Sequence, residues 1–291
     1  MSDTPQVCDY EGSNYRTDFW EGRGRDYEDQ VERAVLRRWL PSSGQRVLEI
    51  GAGFGRLTNE FAGFKQVVVL DYSFSQLQYA REHHGDDGFI YVAADAYQLP
   101  FRAGTFDAAT MIRVIHHFAD VPRVLNGIRR ILAPHAMFIL EHANKRNLKA
   151  MLRYALKKQD WNPYALDPVE FVKLNFDFHP QYIQQELNHN GFSVNKRIPV
   201  SYLRIGALKK TLPTSLMVSL DNLLQKTGGL YSPSVFTLNH ADSTGDDQTS
   251  VDDIFACPKT GVPLTRDGDY MVNGDARYEI RDGIYVFKEL D

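Results

Sequence analysis

The stretch Val47-Leu48-Glu49-Ile50-Gly51-Ala52-Gly53-Phe54-Gly55-Arg56-Leu57 leaves this chain few choices of fold. A short apolar run that stops at alternating glycines reads as a buried strand entering a tight turn, with a helix expected to follow. Glycine takes backbone angles that other residues resist and lets a ligand come close to the main chain. The first turn of the following helix would offer free N–H groups and a positive dipole end to an anion. A second apolar run, Val67-Val68-Val69-Leu70, closes on Asp71. An acid at that offset holds a ribose hydroxyl pair in nucleotide-binding sheets.

The glycine spacing separates two nucleotide-like ligands. The dinucleotide fingerprint G-x-G-x-x-G needs its third glycine for close helix–strand packing. Arg56 occupies that position, which counts against a nicotinamide-dependent oxidoreductase. The glycines here read G-x-G-x-G, at Gly51, Gly53 and Gly55, with Glu49 two residues ahead. This resembles the first motif of the class I S-adenosylmethionine (SAM) methyltransferases, and residues 46–141 are similar to the broad type-11 group. Ala94-Asp95-Ala96 matches the family's adenine-contacting motif, and Arg113-Val114-Ile115-His116-His117-Phe118 its segment at the substrate mouth. Leu132-Ala133-Pro134-His135-Ala136 departs from the family turn L-x-P-G-G at both glycines.

The resemblance implies SAM as cofactor and S-adenosylhomocysteine as product. It places the cofactor on Glu49, Gly51, Ala52, Gly53, Gly55, Asp71, Tyr72, Asp95, Ala96 and Arg113. The family often closes its pocket with an N-terminal segment, and aromatics alternate with arginines over 15–28. Arg25 can there pair with the methionyl carboxylate, and Trp20 or Tyr27 can shield the sulfonium.

Strand and helix signals alternate through the chain. Strands are expected at 46–50, 66–71, 89–93, 106–112, 136–141, 192–200 and 234–239. Val31, Val35 and Trp39 repeat at helical spacing over 26–40, and Pro41 ends that helix. Ser73 with Gln76 makes a capping box, and Asp120 caps a helix over 121–132 with Pro122 in its first turn. Such alternation demands an α/β fold, a doubly wound, mostly parallel, seven-stranded Rossmann-like sheet. Ligands bind such sheets beyond the carboxyl ends of the strands. The methyltransferase resemblance adds a final antiparallel strand between the two before it. Four segments are expected: a cap and helix at 1–40, a methyltransferase domain at 41–240 with helical substrate inserts at 146–190 and 205–230, a polar acidic linker at 241–250, and a small β-rich unit at 251–291.

That last unit carries a second resemblance. Ile254-Phe255-Ala256-Cys257-Pro258 and Tyr278-Glu279-Ile280-Arg281-Asp282-Gly283-Ile284 are similar to the two halves of a small zinc-ribbon family. Its members include activator subunits of tRNA and protein methyltransferases. A structural zinc needs four ligands. Thr260, Met271 and Gly274 stand near the positions where Cys257 needs partners, so a metal-free, degenerate ribbon is expected. In the family this module binds a methyltransferase in trans, and a fused copy is expected to pack on the catalytic domain in cis.

A net charge of −4 gives no whole-protein pull toward nucleic acid or anionic membrane. Residues 1–13 lack a signal-peptide core, no apolar run is long enough to span a bilayer, and Cys8 and Cys257 form no disulfide framework. A cytoplasmic protein is expected. Lys149, Arg153 and Lys157 recur every fourth residue and form one helix face that can meet phosphates or anionic lipid.

Methyl transfer from SAM is an in-line displacement, so the protein mainly aligns the acceptor. A base is needed only when the acceptor carries a proton. His116, Glu141 and His142, near strand ends, are the candidates. No N-P-P-Y motif follows the fourth strand and no Pro-Cys nucleophile stands in the core. Amino methylation of DNA adenine and covalent C5-pyrimidine methylation are therefore disfavoured. A small-molecule acceptor, at O, N or C, is the first reading. An RNA (tRNA or rRNA) or protein acceptor is the second, and a non-catalytic SAM-binding regulator the third.

Overall fold

A computed structural model describes residues 5–288. Residues 1–4 and 289–291, the tips of the expected 1–40 and 251–291 segments, lie outside the described residues. The strands are β1 (Gly44–Ile50), β2 (Phe64–Asp71), β3 (Phe89–Ala93), β4 (Phe106–Met111), β5 (Leu132–Ala143), β6 (Val169–Val172), β7 (Asn175–Asp177), β8 (Phe192–Val200), β9 (Ser234–Ala241), β10 (Thr265–Asp267), β11 (Tyr270–Asn273), β12 (Ala276–Arg281) and β13 (Ile284–Val286). The α-helices are α1 (Asp26–Trp39), α2 (Phe74–His84), α3 (Val121–Ile131), α4 (Leu148–Ala155), α5 (Pro180–His189), α6 (Gly206–Thr211) and α7 (Thr214–Leu224).

The seven expected strands form one block in the order β3-β2-β1-β4-β5-β9-β8. Pairing is parallel from β3 to β5, and β9 runs antiparallel between β5 and β8. Strand alternation divides the interior into two layers. Val47, Val67 and Val69 pack with Val31, Val35, Leu36 and Trp39 of α1 on one face. Leu48, Ile50, Val68 and Leu70 pack with α3 and α5 residues such as Leu125, Ile128, Ile183 and Leu187 on the other. The expected cap at Asp120 forms, and two further helix starts are capped in the same way. Asp120 accepts from Arg123 N–H, Asn147 from Ala150 N–H, and the His179 ring nitrogen from Gln181 N–H.

Four expectations change. No α-helix follows the glycine turn. Gly51, Gly53 and Gly55 have φ of 69°, 55° and 79°, and the chain returns into β2 at Phe64, leaving room only for a single 3-10 turn at Thr58–Phe61. The anion-binding helix end expected there is absent, and the turn N–H groups are used internally: Gly51 and Ala52 donate to Leu70 O, Gly53 to Asp71 and Gly55 to Ala52 O. The capping box at α2 is one-sided: Ser73 Oγ accepts from Gln76 N–H, but Gln76 Nε2 donates to Ser13 O and Ser73 N–H goes to Asp71. Glu11 instead completes the cap, accepting from Phe74 N–H at 2.6 Å and Ser75 N–H at 3.1 Å.

The third change is that residues 251–288 do not stand apart. β13 pairs parallel with β3, so β10–β13 extend the central sheet to eleven strands. Phe255 stacks on Phe101 and Tyr285, and Cys257, Leu264, Met271 and Ile280 share the α3 core. The unit therefore packs in cis by sheet continuation. Finally, the 241–250 segment is strapped down: Arg129 Nε donates to Asp242 Oδ1 at 3.0 Å, Gln248 N–H to Gly104 O at 2.9 Å, and Arg46 Nη2 to Val251 O at 2.9 Å.

Candidate active site

The carboxyl ends of β1 to β4 meet around the glycine turn. A Cβ on Gly51 would meet Val114 Cγ2 at 2.3 Å, so that position admits only glycine. Gly53 is different. The nearest atom to a Cβ there would be Tyr15 Cε1 at 3.9 Å, so its main chain faces open space. Gly53 N–H donates to Asp71 Oδ2 at 2.7 Å and Ser73 N–H to Oδ1 at 2.8 Å. Asp71 thus ties the turn to the end of β2. Burial pushes its pKa up, against the two N–H groups that favour the carboxylate.

The open space forms two cavities on either side of the turn. One is lined by Asp71, Tyr72, Ala94, Ala96 and Phe118, with Val7, Cys8 and Tyr10 crossing it from the N-terminal segment. The other is lined by Glu49, Ala52, Phe54, Arg56, Thr110 and Trp20. Tyr15, Gly51, Gly53 and Arg113 border both. Glu49 accepts from Thr58 Oγ1 at 2.6 Å, and burial lifts it to about 7. A third cavity of about 260 Å³ adjoins at Tyr10, Tyr15 and Arg113 and is lined by Arg25, His116, Glu141, Asp177 and Arg204, with Phe19 and Phe171 at its aromatic side.

Arg113, together with Tyr15, borders all three. It sits at φ 60°, a left-handed conformation uncommon for a non-glycine residue and typical of functional sites. Its N–H donates to Glu141 Oε2 at 2.8 Å, and its Nε donates to Glu32 Oε1 at 2.6 Å. Arg56 Nη2 donates to Glu32 Oε2 at 2.7 Å, and the Arg56 guanidinium lies 3.8 Å over the Trp20 ring. The sequence reading passes over Glu32, although a signal is visible. Glu28 and Glu32, four residues apart, interrupt the otherwise apolar face of α1. Asp177 is also missed. It reaches the third cavity through the β6–β7 hairpin, and burial lifts it to about 6.

Several candidates are displaced from their expected places. Arg25 lines the third cavity and not the two beside the glycines, with its guanidinium 5.4 Å from the Trp20 ring. Tyr27 is buried against α7, its hydroxyl donating to Asp221 Oδ1 at 2.8 Å, so of the two proposed shields only Trp20 reaches the site. Asp95 sits between two cavity-lining alanines, but its Oδ1 closes a turn by accepting from Tyr97 N–H at 2.8 Å. His142 is corrected as a base. Strand alternation turns it away from Glu141 and Ala143, which line the third cavity, into a buried setting that lowers its pKa to about 4. His117 is engaged through Nδ1 with Leu174 O at 3.0 Å. His116 faces the third cavity with no hydrogen-bond partner among the described residues, and burial beside His117 and Arg113 holds it well below the ordinary histidine value.

Comparison with known proteins gives this geometry a context. Residues 48–140 match the family model described as a methyltransferase domain. The chain is 29% identical over 145 residues to the O-methyltransferase cnsE of Penicillium expansum, covering 46% of this chain and 52% of the relative. It is 35% identical over 113 residues to the ubiquinone/menaquinone biosynthesis C-methyltransferase UbiE of Teredinibacter turnerae, covering 36% and 45%. The chain thus spans about half the length of the curated relatives it matches. A solved structure described as a complex between the Haloferax volcanii Trm112 methyltransferase activator and the putative methyltransferase contains a chain with TM-score 0.55 and 17% identity, covering 82% of this chain and 100% of that one. That likeness is one of fold, a Rossmann-like methyltransferase sheet.

Proposed function

We propose that this chain is a SAM-dependent methyltransferase acting on a small-molecule acceptor. One observation carries the reading: the open main chain at Gly53 lies against Asp71, between two cavities that join a third at Arg113. The residues fit the cofactor. Asp71 has lone pairs beyond those used by Gly53 and Ser73 to accept from ribose hydroxyls. Ala96 and Tyr72 wall the adenosine side, with Asp95 in the same loop. Gly51, Ala52 and Glu49 shape the opposite side, and Trp20 with Arg113 closes it. Gly55 lines neither cavity and packs against α2, where a Cβ would meet His84 Nε2 at 2.7 Å. Bound there, SAM supplies a methyl carbon already activated by its sulfonium.

The chain's own residues then orient the acceptor and take its proton. Asp177 is the best-poised base, because a group near 6 is ionised at neutral pH yet still basic. Glu141 is committed to Arg113 N–H, and the neutral His116 ring accepts a hydrogen bond from the acceptor. Residues 251–288 brace the cofactor side in cis without metal, since Lys288 Nζ lies 4.1 Å from the centre of the Tyr72 ring.

Calorimetric titration tests the cofactor. SAM and S-adenosylhomocysteine are expected to bind and NADH is not; binding of NADH alone overturns the reading. With a proton-bearing acceptor that turns over, kcat/KM is expected to fall about tenfold per pH unit below about pH 6 as Asp177 protonates. Asp177→Asn is expected to lower kcat about 100-fold or more and abolish that limb. An unchanged acid limb in the variant rejects Asp177 as the base.

A further inference from the structure

α4 and the β6–β7 hairpin expose what a soluble helix normally hides. Of the eight residues of α4 only Ala150 is buried. Leu148, Leu152 and Leu156 recur every fourth residue and are 58%, 61% and 55% exposed. Lys149 and Arg153 form the neighbouring stripe; the helix ends at Ala155, so the single face expected over 149–157 stops there and Lys157 follows in a left-handed conformation at φ 53°. The hairpin adds Phe171 and Val172 at 58% and 59%, and the ring pair Tyr154–Tyr164, 6.3 Å between centroids, joins the helix to the loop leading into it.

Charge separates in the same place. Seven Lys and Arg against four Asp and Glu give residues 145–177, from the start of this region to the end of the hairpin, a net charge of +3 in a chain whose net charge is −4, although Lys145 is buried and lies apart from the exposed stripe. Adjacent apolar and cationic stripes on a freely exposed helix are the pattern of an element that lies in a bilayer surface. No helix among the described residues is long and apolar enough to cross a membrane. The acceptor cavity opens on this patch, because Phe171 lines the cavity and stands largely exposed outside it.

We propose that α4 and the β6–β7 hairpin dock this protein on an anionic lipid bilayer, so that the acceptor cavity draws a lipophilic acceptor from the membrane. The acceptor clause rests on the methyltransferase reading above; the docking clause does not. Leucines enter the acyl boundary while the lysine and arginine side chains reach the headgroup phosphates. Each cation near an anionic surface contributes roughly fivefold in affinity.

Flotation of the full chain with two vesicle types tests the docking. One is phosphatidylcholine alone; in the other about a third is replaced by phosphatidylglycerol. Binding is expected to the anionic vesicles, weakening as salt rises. The Leu148→Ser/Leu152→Ser/Leu156→Ser and Lys149→Glu/Arg153→Glu/Lys157→Glu triple variants are each expected to bind about 100-fold less or weaker still. Both are expected to keep the parent's thermal midpoint, since the replaced side chains are exposed. SAM titration of the same variants separates the readings: vesicle binding lost with SAM binding intact supports the docking element. Absence of binding by the parent protein to anionic vesicles overturns the proposal whether or not SAM binds. So does a parent dimer in solution that the leucine changes dissociate, which would assign the patch to a second copy of the chain.

Discussion

Glu32→Ala is expected to destabilise the fold by about 3–5 kcal/mol, the cost of stranding a buried charge by removing its partner. Glu32 is 1% exposed and lies between two guanidinium groups, accepting from Arg113 on one oxygen and Arg56 on the other. Its removal leaves Arg113 in the interior without a side-chain ion pair among the described residues, while Arg56 keeps Asp29, with the Trp20 ring against both guanidinium groups. A loss of that size lowers the midpoint by about 6–20 °C in a chain this long. Burial alone would push the Glu32 carboxyl up, but Arg113 and Arg56 overcome it and hold the group below the ordinary carboxylate value. The contribution is therefore complete above about pH 4.3, the unfolded value, and is lost only as pH falls through the lower folded value. The deficit of the variant is expected to be constant from neutral pH down to that range and to narrow below it. A midpoint within about 2 °C of the parent at pH 7 would show that Glu32 does not hold the two arginines.

Asp71→Ala is expected to weaken SAM binding by about 100-fold or more. Hydrogen bonds to a charged group contribute about 1.5–3 kcal/mol each, and two ribose hydroxyls are at stake. The variant also strips the acceptor from Gly53 N–H and Ser73 N–H, which loosens the turn facing the ligand. Asp71→Asn separates these effects. Its amide oxygen still accepts from one N–H, so the turn is better kept while the charge is gone. Calorimetry on both, with thermal midpoints as a folding control, reads the outcome. Affinity within about threefold of the parent in a folded alanine variant would remove Asp71 from the cofactor site.

Much of this was legible before any coordinates, and the reasons are local. The strands 46–50, 66–71 and 89–93 announce themselves because a parallel strand buried on both faces is a continuous apolar run. Asp120 caps its helix through a contact only three residues away. The missed features depend on distance along the chain. Glu32 meets Arg56 and Arg113 only after three elements assemble, and Glu11 caps a helix more than sixty residues on. The expected helix after Gly55 fails for a related reason. Its propensity is overruled by the short return into β2, which sequence periodicity does not measure. His142 illustrates the sharpest limit: a one-residue step along β5 separates a cavity wall from the core, and only the fixed register tells which side is which.

The extension of the sheet by β13 has a further consequence, for self-association. Without it, Phe89-Ile90-Tyr91-Val92-Ala93 would be an open edge: apolar, uncharged and free of proline, the composition that templates strand addition between molecules. With it, the exposed rim moves out to β10, a three-residue strand carrying Arg266 and Asp267. The opposite rim, β8, is blunted by Lys196, Arg197 and Pro199 and by a register shift between Val194 and Lys196. Both margins of an eleven-stranded sheet are thereby made poor partners for another chain. The C-terminal strands thus act as a guard against polymerisation.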